Sequence, residues 1–139
     1  MRRVVMVVVL ALVMSSGSVA LTAHLSNSAS AATYEPMVLG WERYFSITWE
    51  PFDRRGVHYV GGYVDNTFGL PARRIQLLVD GLDASGSVVS QKVTWLGSDL
   101  NPGTHAYFET RAPEPGTAYR VRVFAFDWVQ TASLQLQLP

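Results

Sequence analysis

The feature that most restricts this chain is an alternation of apolar and polar side chains that begins at Arg43 and recurs to the C-terminus. In RYFSITW, Phe45, Ile47 and Trp49 fall on one side and Tyr44, Ser46 and Thr48 on the other. HYVGGYVDN groups Val60, Gly62 and Val64, and RRIQLLVD sets Ile75, Leu77 and Val79 against Arg74 and Gln76. SVVSQKVTW separates Val89, Val93 and Trp95 from Ser90, Lys92 and Thr94, and THAYFET carries Ala106 and Phe108. AYRVRVFAF sets Tyr119, Val121, Val123 and Ala125 against Arg120 and Arg122, and SLQLQLP sets Leu134, Leu136 and Leu138 against Gln135 and Gln137. Side chains alternate across a strand but recur every ~3.6 residues on a helix, so this pattern predicts strands with one buried and one wet face.

The intervening segments are turn formers: PFDRRG, NTFGLP, DASG, NPG and APEPG. Each offers a proline, a glycine or an Asx residue that sets a turn. About seven strands at turn spacings of roughly 8–12 residues predict an all-β chain folded as one antiparallel β-sandwich. With no cysteine in the sequence, disulfides, thiolate metal sites and thiol nucleophiles are excluded, and the core alone must hold the fold.

The first residues follow a different rule. Arg2 and Arg3 precede an unbroken apolar run from Val4 to Met14, and Ala29-Ser30-Ala31 supplies small residues at a cleavage-like exit. A charged start, an apolar middle and a small-residue exit describe a secretory signal peptide, here residues 1–31, with the domain expected over 32–139. The alternative is an uncleaved membrane anchor, since the run extended to Ala23 approaches the ~20 residues of a spanning helix. Ser15, Ser16, Gly17 and Ser18 weaken that half. Loss of Arg2 and Arg3 leaves nine basic against 11 acidic side chains. A net charge of −2 without blocks of one sign is no footprint for nucleic acid.

VDGLDASGSVV, residues 79–89, concentrates potential oxygen ligands. A calcium loop needs ligands at alternating positions before a glycine. Counted from Asp80 the third position is Leu82, and counted from Asp83 the sixth is Val88, so both registers fail. The stretch is expected to be a hairpin, with Asp83 accepting from its own turn and Gly86 taking a positive φ.

These residues resemble the FxLYD domain family of exported bacterial proteins over roughly Gly56 to Ala125. GYVDN at 62–66 is similar to that family's glycine-x-valine-x-asparagine strand, VDGLDASGSVV to its naming segment and Asp-x-x-Gly hairpin, and LNPGTHAYF at 100–108 to its Pro-Gly turn and strand phenylalanine. Val79, Gly81 and Leu82 depart from the naming motif, and Asp83 agrees. A second resemblance, of ITWEP and PGTAYRVRVFA to fibronectin type III strands, has its landmarks, Trp49 and Tyr119, further apart than in that family. Both imply an immunoglobulin-like sandwich, and the first also implies an extracytoplasmic setting and no catalytic residues.

The chain has no Gly-x-Ser-x-Gly elbow, His-Glu-x-x-His pair or phosphate-cradling loop. His58 and His105 are expected in solvent. No cofactor or metal is expected. The candidate binding residues are Tyr59 and Tyr63, outward on their strand, and Arg120, Arg122, Phe124, Phe126 and Trp128, which share one parity on the late strand. Aromatic and arginine side chains together are what recognition surfaces favour. The alternative is that another segment, such as Trp41–Trp49, covers the late-strand rings. The leading expectation is a non-enzymatic exported module, binding a protein partner or serving as a structural accessory at the cell envelope. A carbohydrate-binding module comes second and a hydrolase last. An outward row of tyrosine or tryptophan rings favours sugar, a mixed Phe-Arg patch favours protein, and carboxylates in a deep pocket favour hydrolysis.

Overall fold

A computed structural model of the protein describes residues 33–130. After a short 3₁₀ turn at Trp41–Arg43 come six strands: β1 Phe45–Arg54, β2 Val57–Asn66, β3 Ala72–Leu82, β4 Val88–Trp95, β5 His105–Arg111 and β6 Ala118–Trp128. They form two three-stranded antiparallel sheets, ordered β1-β2-β5 and β4-β3-β6. The chain is therefore an all-β sandwich of antiparallel sheets, with six strands among the described residues. The SLQLQLP strand expected at the C-terminus, the leader and its cleavage point lie outside them.

Two tight hairpins set the registers. β1 and β2 are joined by Arg55 and Gly56, both at positive φ (52° and 75°), the geometry whose twist matches a two-residue hairpin. β3 and β4 are joined through the expected turn: Asp83 Oδ1 accepts hydrogen bonds from Ser85 N at 2.8 Å and Ser87 N at 3.0 Å. Gly86 has φ 85°. The other connections cross between the sheets, and Leu100 of the β4–β5 crossover pairs back to Ala72.

The core lies where the alternation predicts. Phe45, Val60, Val64 and Phe108 from the first sheet meet Ile75, Leu77, Val79, Val121 and Val123 from the second. Each such side chain, fully buried, contributes about 1.5–3 kcal/mol. Asn66 is buried but satisfied. Its amide donates to the carbonyls of Leu70 at 2.8 Å and Leu100 at 3.0 Å, and its Oδ1 accepts from Phe68 N at 3.0 Å, pinning the β2–β3 loop.

Three expectations need correction. PFDRRG is only partly a turn: β1 runs through Pro51, Phe52 and Asp53, because an edge strand tolerates a residue with no N–H to give. The apolar side of β4 is its outer one. Leu78 pairs with Val93 and Gln76 with Trp95, and directly opposed residues share a face. Leu77 and Val79 point to the core, so Val93 and Trp95 point away from it, and Trp95 is 60% exposed. The third correction is β6. Its register to β3 passes from Leu77↔Val123 to Gln76↔Ala125, leaving Phe124 as an extra residue, while β3 carries its own insertion near Arg74, at φ 50°. A bulge of this kind reverses the parity beyond it.

The N-terminal segment lies over the outer face of the second sheet. Tyr34 exchanges two hydrogen bonds with the Gln91 side chain, Met37 N donates to Phe124 O at 2.8 Å, and Glu35 pairs with Arg122 at 2.7 Å. Leu78 and Asp80, both fully buried, lie on this face.

Candidate functional site

The seven candidate residues divide between two opposite faces and the core. Arg120 and Arg122 lie on the outer face of the second sheet, and both are committed to Asp80. Arg120 Nε donates to Asp80 Oδ2 at 2.8 Å, Arg122 Nη2 stands 3.0 Å from the same oxygen, and Gln91 Nε2 donates to Oδ1 at 2.7 Å. Phe124, the bulge residue, meets the Tyr34 ring edge-on at 6.1 Å. Phe126 and Trp128 do not follow the arginines outward. They pack against the core, with Phe126 4.9 Å and Trp128 5.9 Å from the Phe45 ring and both against Tyr44. The bulge turns them, and the Trp41–Trp49 stretch covers them.

Tyr59 and Tyr63 do point outward, on the central strand of the first sheet. The register gives that face three rows: Thr48–Tyr63–Tyr107, Glu50–Gly61–Glu109 and Phe52–Tyr59–Arg111. Tyr63 and Tyr107 are 47% and 51% exposed, with ring centroids 5.3 Å apart and edge-to-face. Phe52 and Tyr59 are nearly parallel at 5.7 Å. Between the two pairs the central strand carries Gly61, and the missing side chain leaves a shallow concavity of 260 Å³ lined by Thr48, Glu50, Phe52, Tyr63 and Tyr107. The rim rings lean over it: a β-carbon at Gly61 would stand 2.8 Å from Tyr107 Oη and 3.0 Å from Phe52 Cε1.

One charged pair fixes the arrangement. Arg54 grips Glu109 through two parallel hydrogen bonds of 2.6 and 2.9 Å, and its guanidinium lies 5.4 and 5.2 Å from the Phe52 and Tyr59 ring centroids. Bidentate geometry and ring contact are the arginine-specific modes of holding a carboxylate. The hydrogen bond from Arg54 holds the Glu109 carboxyl below the ordinary range. Partial burial, then the Glu109 charge, raises the Tyr107 phenol, which donates to Glu109 Oε2 at 3.3 Å.

Glu50 and Glu109 flank Gly61 from the two outer strands, about two strand spacings, or 9–10 Å, apart at the backbone. The concavity is open and shallow. Aromatic rings and hydrogen-bonded polar groups held by one another border it.

Phe52, Tyr107, Glu109, Arg54 and Gly61 belong to this face but were not singled out in the sequence. Tyr107 was accessible, since it alternates with Ala106 and Phe108 just as Tyr63 does with Val64. Phe52 and Arg54 were hidden by the turn-like PFDRRG. His58 and His105 are exposed, with side chains 58% and 63% accessible, beside Asp53 and Asp65. Comparison of the chain with protein-family models, with curated proteins and with solved structures finds no match.

Proposed function

We propose that this chain is a non-enzymatic, exported β-sandwich module that recognises or braces another component of the cell envelope, and that the outer face of β1-β2-β5 is its ligand face. The leader-like residues 1–31 support export, and no helix among the described residues is long and apolar enough to cross a membrane. The observation that carries the reading is the half-exposed Tyr63–Tyr107 pair beside the Gly61 concavity. No other segment among the described residues packs there, whereas Arg122 and Phe124 on the opposite sheet are engaged by the N-terminal segment. Exposed tyrosines around a concavity with a few convergent polar groups are the usual composition of a binding site.

Sedimentation of the exported protein with native envelope tests this. Wild-type protein co-sediments, and Tyr63→Ser with Tyr107→Ser releases it while the melting temperature holds. Equal sedimentation of the two proteins, or none by wild type, overturns the reading.

A further inference from the structure

Resting on that reading of the first sheet, we propose that its ligand is a neutral glycan chain lying along β2. Three observations select this chemistry. The first is the rings. The half-exposed Tyr63 and Tyr107 stand on one side of the Gly61 row, and Phe52 and Tyr59, stacked on each other with Arg54 against both, stand on the other. Aromatic faces carry negative potential, and the axial C–H groups of a pyranose, polarised by neighbouring oxygens, present the matching positive surface. Tyr59 and Tyr63 lie four positions apart, roughly 13 Å of strand, more than one sugar ring spans, so a ligand that reaches both is an oligomer.

The second is the polar groups between the rings. Thr48, Glu50, the Tyr107 hydroxyl and Glu109 surround the concavity or border it. The Glu109 carboxylate is already engaged by Arg54 and Tyr107, and the Glu50 carboxylate with the Thr48 and Tyr107 hydroxyl oxygens remains to accept from the hydroxyl donors of a sugar. Arg54, the side chain best suited to anchor a protein partner, is already engaged by Glu109 and its two rings.

The third is charge. The outward positions of the sheet hold Glu50, Asp65 and Glu109 against Arg54 and Arg111. With no positive excess, the face has nothing to attract nucleic acid, a phosphate polymer or an anionic lipid headgroup. An uncharged polyol meets no such penalty.

The test is calorimetric titration of the exported protein with cellohexaose and with chitohexaose, which offer the same flat C–H faces with different substituents. At least one gives saturable binding that changes little with salt and is lost with the corresponding disaccharide. Tyr63→Ala and Tyr107→Ala each weaken it by about tenfold or more with unchanged circular dichroism. Glu50→Gln, on the exposed edge strand, weakens it without touching a ring and so serves if either tyrosine variant fails to fold. Absence of saturable binding to both hexaoses and to protein-free glycan strands from the native envelope overturns the proposal. If sedimentation with envelope depends on Tyr63 and Tyr107 but is abolished by protease and not by glycan hydrolases, the ligand is a protein: the glycan falls and the face stands. If those substitutions leave sedimentation unchanged, the face falls too.

Discussion

Asp80 is fully buried on the outer side of a sheet, where a strand would ordinarily present a solvated side chain. It is there because Arg120, Arg122 and Gln91 close over it. Asp80→Ala removes the carboxylate that Arg120 holds and leaves the largely covered Arg122 with the exposed Glu35 alone, so the loss lies toward the lower end of the about 3–5 kcal/mol for removing one member of a buried pair. Urea denaturation of the variant should show that loss with an unchanged slope. A change under 1 kcal/mol, the ordinary worth of surface pairs, would mean the cluster is solvated. Gly61 and Gly62 give a sharper contrast between neighbours. A β-carbon at Gly62 would stand 1.9 Å from the Thr48 carbonyl oxygen, an immovable backbone atom, whereas at Gly61 the closest atoms are the far ends of Tyr107 and Phe52. Gly62→Ala is therefore expected to cost about 3 kcal/mol or more by overpacking. Gly61→Ala should stay within about 1 kcal/mol of wild type yet fill the floor of the concavity and weaken envelope binding. Equal stabilities for the two variants, from thermal and denaturant melts, would contradict the assignment of one glycine to the fold and the other to the site.

At the scale of the element, the β3–β4 hairpin links a sequence motif to a pH dependence. Hydrogen bonds from the Ser85 side chain, then from the backbone N–H groups of Ser87 and Ser85, hold the Asp83 carboxyl below its ordinary value. A carboxylate whose folded pKa is depressed stabilises the fold above its ordinary pKa and loses that contribution as pH falls through the folded value. NMR titration of the Asp83 carboxyl should give a midpoint below the 3.8 ordinary for an aspartate, with the hairpin amides shifting in the same acid range. A midpoint at or above that value would remove the turn from the account. β6 makes a second prediction. Phe126→Ser should lose close to the lower end of the ~3–5 kcal/mol of a buried phenylalanine, and Phe124→Ser clearly less, because one ring packs among Phe45, Tyr44 and Trp128 and the other meets the exposed Tyr34. Equal losses in chemical denaturation would mean the bulge does not divide them. The same strand marks how far alternation can be read. Val121 and Val123 were legible as core because period two holds up to them. Phe126 and Trp128 were not, because one unpaired residue reverses the parity and nothing in RVFAFDW announces where it falls. On β4 the pattern was legible but its sense was not: an edge strand partly covered by the N-terminal segment can turn Val93 and Trp95 outward.

For the whole molecule, the sandwich was readable from strand count and turn chemistry, and part of the open face around Gly61 from the outward Tyr59 and Tyr63. The rest depends on which strands become neighbours. Tyr107 joins Tyr63 only because β5 crosses back to pair with β2, and Glu109 reaches Arg54 across two strands; neither proximity has a local signature. The resulting molecule has two unlike outer faces. One is strapped by the N-terminal segment over Leu78 and Asp80, and the other is open around Gly61. Whether the open face meets the ligand can be read by hydroxyl-radical footprinting of the protein bound to native envelope. Phe52, Tyr63 and Tyr107 are expected to become protected while Tyr34, Met37 and Trp95 stay as reactive as in the free protein. Protection of Tyr34, Met37 and Trp95, with Tyr63 and Tyr107 still reactive, would contradict it and move the ligand to the strapped face.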